Sequence, residues 1–382
     1  MSFPARIVFL TRSLNYGGSE RQLVALVIGL HHDGQSTTVA TFYPGGPFQH
    51  SLESAGVPVF SLGKHSRWDV VGFAWRLIRF VRRAKPDILH GYLGTANIVA
   101  VCLKPFCPGM KVIWGVRASN MELERYGRLD RLLYWIECRI SRFADVIIVN
   151  SHVGLEYAVS HGFPREKMIV IANGIDTERF HPDRQARTRL RGRWGIQADE
   201  NLIGLVGRLD PMKGHVTFVN AAALLTRKRP NVRFVCVGDG PELYQRRLVA
   251  LAAELGLTDR LQWLPASESI ASFYNAFDLA TSCSTYGEGF ANVIGEAMAC
   301  GIPCVVTDVG DGKRIVGETG SVVGPGDPKA LALAWDTMLD MGSVERARLG
   351  QCARERILQE FSLSRLIDAT SHVFEAVVPH RQ

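Results

Sequence analysis

Short runs of β-branched and apolar residues alternate with stretches of helical periodicity along this chain, and the alternation begins twice. Runs at 6–10, 36–42, 57–60, 87–90, 111–116 and 145–149 read as strands, with helical patterns such as 69–84, 95–103 and 129–143 between them. A charged stretch at 173–195, poor in apolar residues, reads as a connector. The pattern then restarts, with strand candidates at 201–206, 232–237, 261–263, 279–281, 303–306 and 321–323. Buried strands separated by helices build a parallel sheet, because every crossover lays a helix on one of its faces. The expected fold is therefore α/β, with two Rossmann-like, doubly wound parallel-sheet domains in a chain of 382 residues. The domains are placed at 1–178 and 179–361. The tail at 347–378 reads as helical with a break at 361–363, so a last helix, 362–382, completing the first domain fits the pattern. Ligands in such folds bind beyond the carboxyl ends of the strands, which predicts a central cleft between the domains.

Composition narrows the class. With 47% hydrophobic and 21% charged residues, the chain is not a disordered, collagenous or disulfide-stapled protein. No stretch approaches the ~20 apolar residues of a membrane span. The opening residues, with Arg6 inside a short apolar run, do not read as a secretory signal. None of the eight cysteines forms a CxxC pair or lies at zinc spacing from histidines, so they are expected to be reduced thiols in a cytoplasmic protein with no metal site. The net charge of +7 is unevenly placed. Residues 1–180 hold 21 Lys and Arg against 14 Asp and Glu, and residues 181–382 hold 23 against 23. A basic first half points to an anionic partner.

Three segments carry candidate chemistry. The loop from Asn15 through Gly17, Gly18 and Ser19 to Glu20 joins the first strand to a helix. Such a loop is either a plain tight turn or a cradle whose backbone N–H groups approach an anion; it lacks the dinucleotide-cofactor spacing. The second segment runs from Gly207 through Arg208 and Lys213 to Gly214 after a strand. Its two cations either clamp a diphosphate or are solvated surface charges. The third, Tyr286 to Pro303, places Glu288 in a glycine loop and Glu296 in an otherwise apolar helical run. Eight helical steps span about 12 Å, a distance suited to two carboxylates gripping opposite ends of a nucleotide sugar. Backbone N–H groups of Gly289, Phe290, Ala291 and Asn292 at the helix start would then face the phosphates. A buried Glu296 requires a hydrogen-bonding partner.

On these residues, and on Asn173-Gly174-Ile175-Asp176, the whole chain resembles the retaining glycosyltransferases of family 4, which have the GT-B fold. The Glu288/Glu296 pair with its EAMACGIP tail is the most specific part of the likeness. The resemblance implies that Arg208 and Lys213 bind the donor diphosphate, Glu296 the ribose and Glu288 the transferred sugar. Gly17 and Gly18 would approach the phosphate and acceptor. It implies an acceptor-binding first domain and a nucleotide-sugar-binding second domain. Transfer would proceed with retention from a nucleotide-diphosphate sugar, UDP-sugars ahead of GDP-mannose, without a cofactor or bound metal. One departure stands out. Where many members carry a histidine after the fifth strand, this chain has Arg117, Ser119 and Asn120. Arg117 is open between an acceptor phosphate, a sugar hydroxyl and a structural salt bridge. His90, His152 and His161 are the remaining first-domain histidines of interest, with His90 expected at the cleft edge.

The acceptor implied is a glycan or lipid-linked molecule of surface polysaccharide or glycolipid synthesis. Arg76, Arg79 and Arg83 beside Trp75, and Arg131, Arg139 and Arg142 beside Trp135, form basic helical faces that suit either solvent or peripheral contact with the inner face of an anionic membrane. Nucleic acid is not an expected partner. The rival readings are a nucleotide-sugar epimerase or hydrolase of the same fold, and a sugar-nucleotide-binding protein without turnover.

Overall fold

The computed structural model describes residues 5–378 apart from residues 67, 118–126 and 268. The chain packs as two units, residues 1–174 with 363–382, and residues 175–362.

The first unit is a sheet of seven parallel strands: β1 (Arg6–Thr11), β2 (Ser36–Thr41), β3 (Val59–Ser61), β4 (Ile88–Tyr92), β5 (Lys111–Val116), β6 (Val146–Val149) and β7 (Met168–Val170). Their order is β3-β2-β1-β4-β5-β6-β7. Side chains alternate across the pleat. Ile7 and Phe9 therefore join Leu23, Leu26, Leu366 and Phe374 on one face, while Val8 and Leu10 join Leu77, Val81, Ala100 and Ala158 on the other. The final helix, Leu363–Val377, packs on the helix Gly18–His32, close enough that a Cβ at Gly29 would lie 2.1 Å from Ile367 Cδ1. The chain leaves β1 in one direction and β4 in the other, so the ends of these two strands form a topological switch point.

The second unit repeats the plan with six parallel strands: β8 (Asn201–Val206), β9 (Val232–Val237), β10 (Leu261–Leu264), β11 (Leu279–Ser282), β12 (Cys304–Thr307) and β13 (Gly320–Val323). The order β10-β9-β8-β11-β12-β13 puts its switch point between β8 and β11. Trp335 fills the core against Phe218 and Phe234, and its indole N–H donates to Thr281 Oγ1 at 3.0 Å.

Three expectations change, and one strand was not foreseen. The stretch 173–195 is more than a connector, because it contains the helix Arg184–Arg193. Asp183 caps that helix, Ala186 and Leu190 are buried, and Arg187 and Arg191 both reach Asp278. Charge pairing thus replaces most of the apolar face that periodicity looks for. Strand β7 is a short edge strand, too brief to read from pattern. His90 lies within β4 rather than at its end, wholly buried and stacked on Phe9, with ring centroids 5.2 Å apart. Arg76 leaves the basic face: its guanidinium donates to Leu62 O, Gly63 O and Asp69, pinning the start of the helix Val70–Ala84. Among the described residues, no helix is long and apolar enough to cross a membrane.

Candidate active site

In the second unit, the segments after β8 and β11 converge at the switch point. Beyond β8 the chain makes a turn at Pro211–Lys213, held by Asp210, whose carboxylate accepts from Met212 N at 3.0 Å. Beyond β11 the loop 283–291 is tied to this turn: Thr285 N donates to Met212 O at 2.8 Å. Gly214 permits the approach. Its φ is +70°, and a Cβ there would lie 1.9 Å from Cys283 O. Gly310, at φ +60°, backs the loop from β12, with Glu288 O and Gly289 O each 2.5 Å from where its Cβ would stand.

These constraints bring the Lys213 ammonium onto the carboxylate of Glu288, which also accepts from Ser284 Oγ at 2.8 Å. Both side chains are mostly buried. Arg208, at the end of β8, stays exposed and reaches Asp210 at 3.1 Å. Glu296 is buried and accepts from the hydroxyl of Tyr274 at 2.9 Å. Its helix spans Asn292–Ala299, so Glu296 is the fifth helical residue, and Glu288 precedes the helix on the loop. The eight-step helical spacing therefore does not hold, and the loop, not the helix, sets where Glu288 stands. Phe290 and Ala291 are buried, and Ala291, the N-cap residue of this helix, provides no side-chain cap. Tyr274 and Ser284 were not legible as site residues, since only the fold puts them against the two carboxylates. His215 is a further unforeseen group. It is fully buried beside this turn, and burial pushes its pKa down to about 4, against a smaller opposing effect of the Asp210 backbone.

In the first unit, Gly17 and Gly18 open the helix Gly18–His32 directly after the β1 loop. Gln22 in that helix clamps Gly174, donating to its carbonyl at 2.8 Å and accepting from its N–H at 3.0 Å. Arg117 follows β5. It is buried, donates from Nη1 to Asn173 Oδ1 at 3.0 Å, and lies over the ring of Tyr92, 4.8 Å from the centroid. Ser119 and Asn120 lie outside the described residues. Glu137 is buried beside Gly94 and accepts from Asn97 at 3.0 Å; burial raises its pKa to about 7. His152 and His161 are exposed.

Comparison with known proteins gives the family and the fold. Residues 16–179 match the family described as Glycosyltransferase Family 4, and residues 186–356 match Glycosyl transferases group 1. The D-inositol 3-phosphate glycosyltransferase of Mycolicibacterium smegmatis is 35% identical over 59% of this chain and 51% of its own length. The GDP-mannose-dependent α-(1-6)-phosphatidylinositol monomannoside mannosyltransferase of the same organism is 34% identical over 53% of this chain and 54% of its own. The matches thus span about half the length of these curated relatives. The crystal structure of HepE from Anabaena in complex with UDP-glucose superposes with a TM-score of 0.86 at 24% identity, covering 97% of this chain and all of that one.

Proposed function

This chain belongs to the group 1, family 4 glycosyltransferases of the GT-B fold, and on that premise we propose that it transfers a sugar from a nucleotide-diphosphate sugar to a glycan or lipid-linked acceptor with retention of configuration. The observation that carries the reading is the meeting of Lys213 and Glu288 at the β8/β11 switch point, with Arg208 exposed beside them and Glu296 held by Tyr274. A lysine and an arginine at the carboxyl end of a strand offer a point charge and a fork to a diphosphate, with no metal assigned to that task. In this reading Glu296 takes the ribose and Glu288 the transferred sugar. Lys213, paired with Glu288 in the free protein, also turns toward the leaving group.

The step proposed is a same-face substitution. The bond from the anomeric carbon to the diphosphate oxygen breaks while the acceptor hydroxyl oxygen bonds to that carbon. The hydroxyl proton passes to the leaving phosphate oxygen, and Arg208 and Lys213 stabilise the charge that develops there. The first unit takes the acceptor, and its setting is the cytoplasmic face of a membrane, in surface polysaccharide or glycolipid synthesis. A UDP-sugar and GDP-mannose are the donors to compare, since HepE was solved with UDP-glucose and one relative is named for GDP-mannose.

The test is a thermal-shift screen across UDP- and GDP-sugars, followed by nucleotide-release assays with and without lipid-linked and soluble glycan acceptors. The reading expects release that depends on an acceptor. Release without any acceptor supports hydrolysis or epimerisation instead, and binding without release in any mixture supports a non-catalytic role.

A further inference from the structure

The switch point of the first unit holds a buried cation that has no counter-charge among the described residues. Arg117 is only 8% exposed, yet among the described residues its guanidinium makes no ion pair. Nη1 is spent on the neutral amide of Asn173, one face lies on the Tyr92 ring, and Nε has no partner. The Tyr92 hydroxyl is also buried and also without a partner. Buried charges are ordinarily paired, because taking an ion out of water costs several kcal/mol that only an opposite charge or a full set of hydrogen bonds offsets. Here donors accumulate without an acceptor.

The surroundings fix this arrangement. Tyr92 ends β4 and Arg117 follows β5, strands that pair side by side, and Asn173 lies past β7. Gly115 is needed between them, since a Cβ there would stand 3.1 Å from both His90 Nε2 and Tyr92 Cδ2. The two hydrogen bonds from Gln22 to Gly174 hold the Asn173 segment. The chain turns out of β4 through Leu93, a non-glycine residue at φ +73°, a conformation that persists only where the surroundings impose it. Among the described residues, Glu137 and Glu20 are carboxyl groups at this end of the sheet, and neither pairs with Arg117. Glu137 is engaged with Asn97, and Glu20, which acts electrostatically on Tyr92, is itself driven toward its neutral form by burial.

We propose that Arg117 and Tyr92 form a binding site for an oxyanion carried by the acceptor, a phosphate ester or a uronate carboxylate. Arginine matches such groups with a planar fork, and a neutral tyrosine hydroxyl adds one more donor. The excess of positive charge in residues 1–180 is an independent sign of an anionic ligand on this unit. This inference rests on the proposed division of labour, in which the donor diphosphate belongs to Arg208 and Lys213 of the other unit.

The test uses the full chain and simple probes. Thermal midpoints are measured against inorganic phosphate, glucuronate and, as a neutral control, glucose, with chloride keeping ionic strength constant. A site that binds only the folded protein raises the midpoint with ligand concentration. The proposal expects a rise with phosphate, glucuronate or both that persists in an Arg208→Gln/Lys213→Gln variant. In Arg117→Gln the rise should need at least tenfold more ligand, with UDP binding unchanged. A response to phosphate alone assigns a phosphate ester, and a response to glucuronate alone assigns a uronate. The ligand-free midpoint gives a second readout. Arg117→Gln removes an unpaired buried charge, so its midpoint should match or exceed wild type. Arg117→Lys keeps the cation but not the fork and should respond weakly. The proposal is overturned by an unchanged response in Arg117→Gln, by loss only in the Arg208/Lys213 variant, by no response in wild type, or by a lowered ligand-free midpoint in Arg117→Gln. Failure of wild type to bind any nucleotide sugar would instead count against the transferase reading and leave these outcomes intact.

Discussion

Lys213 and Glu288 are 75 residues apart in the chain and form a direct ion pair, with Ser284 Oγ donating to the same carboxylate oxygen. One residue follows β8 and the other β11, so the pair exists only because those strands are neighbours. Each member therefore neutralises the other within a largely buried loop, and under the proposed function each also meets the donor.

Lys213→Met is expected to show both duties. Losing a cation that faces a developing charge lowers kcat by about 10²–10³-fold. It also takes the Lys213 charge away from the mostly buried Glu288 carboxylate, so the urea midpoint falls. Adding Glu288→Gln should restore much of the stability and none of the activity, because the two residues are coupled. Arg208→Ala is the contrast. Its side chain is two-thirds exposed, so stability should stay within about 0.5 kcal/mol while turnover drops. Additive stability losses in the Lys213/Glu288 cycle would contradict the pairing.

The two glutamates separate kinetically. Glu296→Ala is expected mainly to raise the donor KM, since ribose contacts change little on the way to the transition state. Glu288→Ala is expected mainly to lower kcat. Tyr274→Phe removes the hydroxyl that orients Glu296, and a lost hydrogen bond of about 1 kcal/mol corresponds to roughly a fivefold rise in donor KM. Steady-state kinetics with varied donor decides this. A Tyr274→Phe effect confined to kcat would show that Glu296 is not a ribose ligand.

What was legible in the sequence follows from range. Alternation of buried runs and helical patterns is local, so twelve strands and both sheets could be read directly. The glycine loops and the Glu288 and Glu296 segment were legible because a tight turn and a carboxylate amid apolar residues each leave a local mark. The partners were not. Tyr274 lies 22 residues from Glu296 and Asn173 lies 56 from Arg117, so only the fold joins them. Arg76 looked like the other arginines of its helix, and its bonds to Leu62 O and Gly63 O come from a preceding loop. The helix Arg184–Arg193 escaped notice because Asp278, far along the chain, supplies what an apolar face usually does.

Two buried histidines make stability fall with acid. Burial depresses His90 to about 3 and His215 to about 4, below the ordinary 6.5. Well above pH 6.5 both are neutral in either state, and their contribution to stability is complete. As pH drops from 6.5 toward 4, the unfolded chain takes up protons that the folded chain refuses, so stability falls by up to about 1.4 kcal/mol per pH unit for each histidine. His90→Phe keeps a ring against Phe9 and removes one of these protons. The slope of unfolding free energy against pH, measured by urea denaturation, should be shallower in that variant over this range. An unchanged slope would show that His90 is charged in the folded protein.

The first unit carries two exposed tryptophan–arginine pairs of the same design. Arg79 lies over Trp75 at 5.3 Å and Arg139 over Trp135 at 5.1 Å, each four residues after its tryptophan. The tryptophans are 61% and 54% exposed, and their helices pack against one hydrophobic cluster through Leu77, Val81, Cys138 and Ile140, so both lie on the same flank of the sheet. Val71, Trp68, Leu132 and Phe143 add further exposed apolar surface, and Arg82 and Arg83 add charge. Aromatic side chains with a ring of cations suit the interface of an anionic bilayer, each cation contributing about 1 kcal/mol near the surface. Since Arg76 is committed to the fold, the informative charge variant is Arg79→Glu/Arg82→Glu/Arg83→Glu. Its binding to anionic vesicles should weaken by on the order of a hundredfold or more. Trp75→Ala/Trp135→Ala should weaken binding at low and high salt alike, because apolar insertion is not screened, whereas the charged contribution fades as salt shortens the ~8–10 Å screening length. Co-sedimentation with anionic and neutral vesicles at two salt concentrations reads both effects. Equal sedimentation of all three proteins on both vesicle types, or none with either, would exclude this flank as a membrane contact, and a water-soluble acceptor would then take the place of the lipid-linked one.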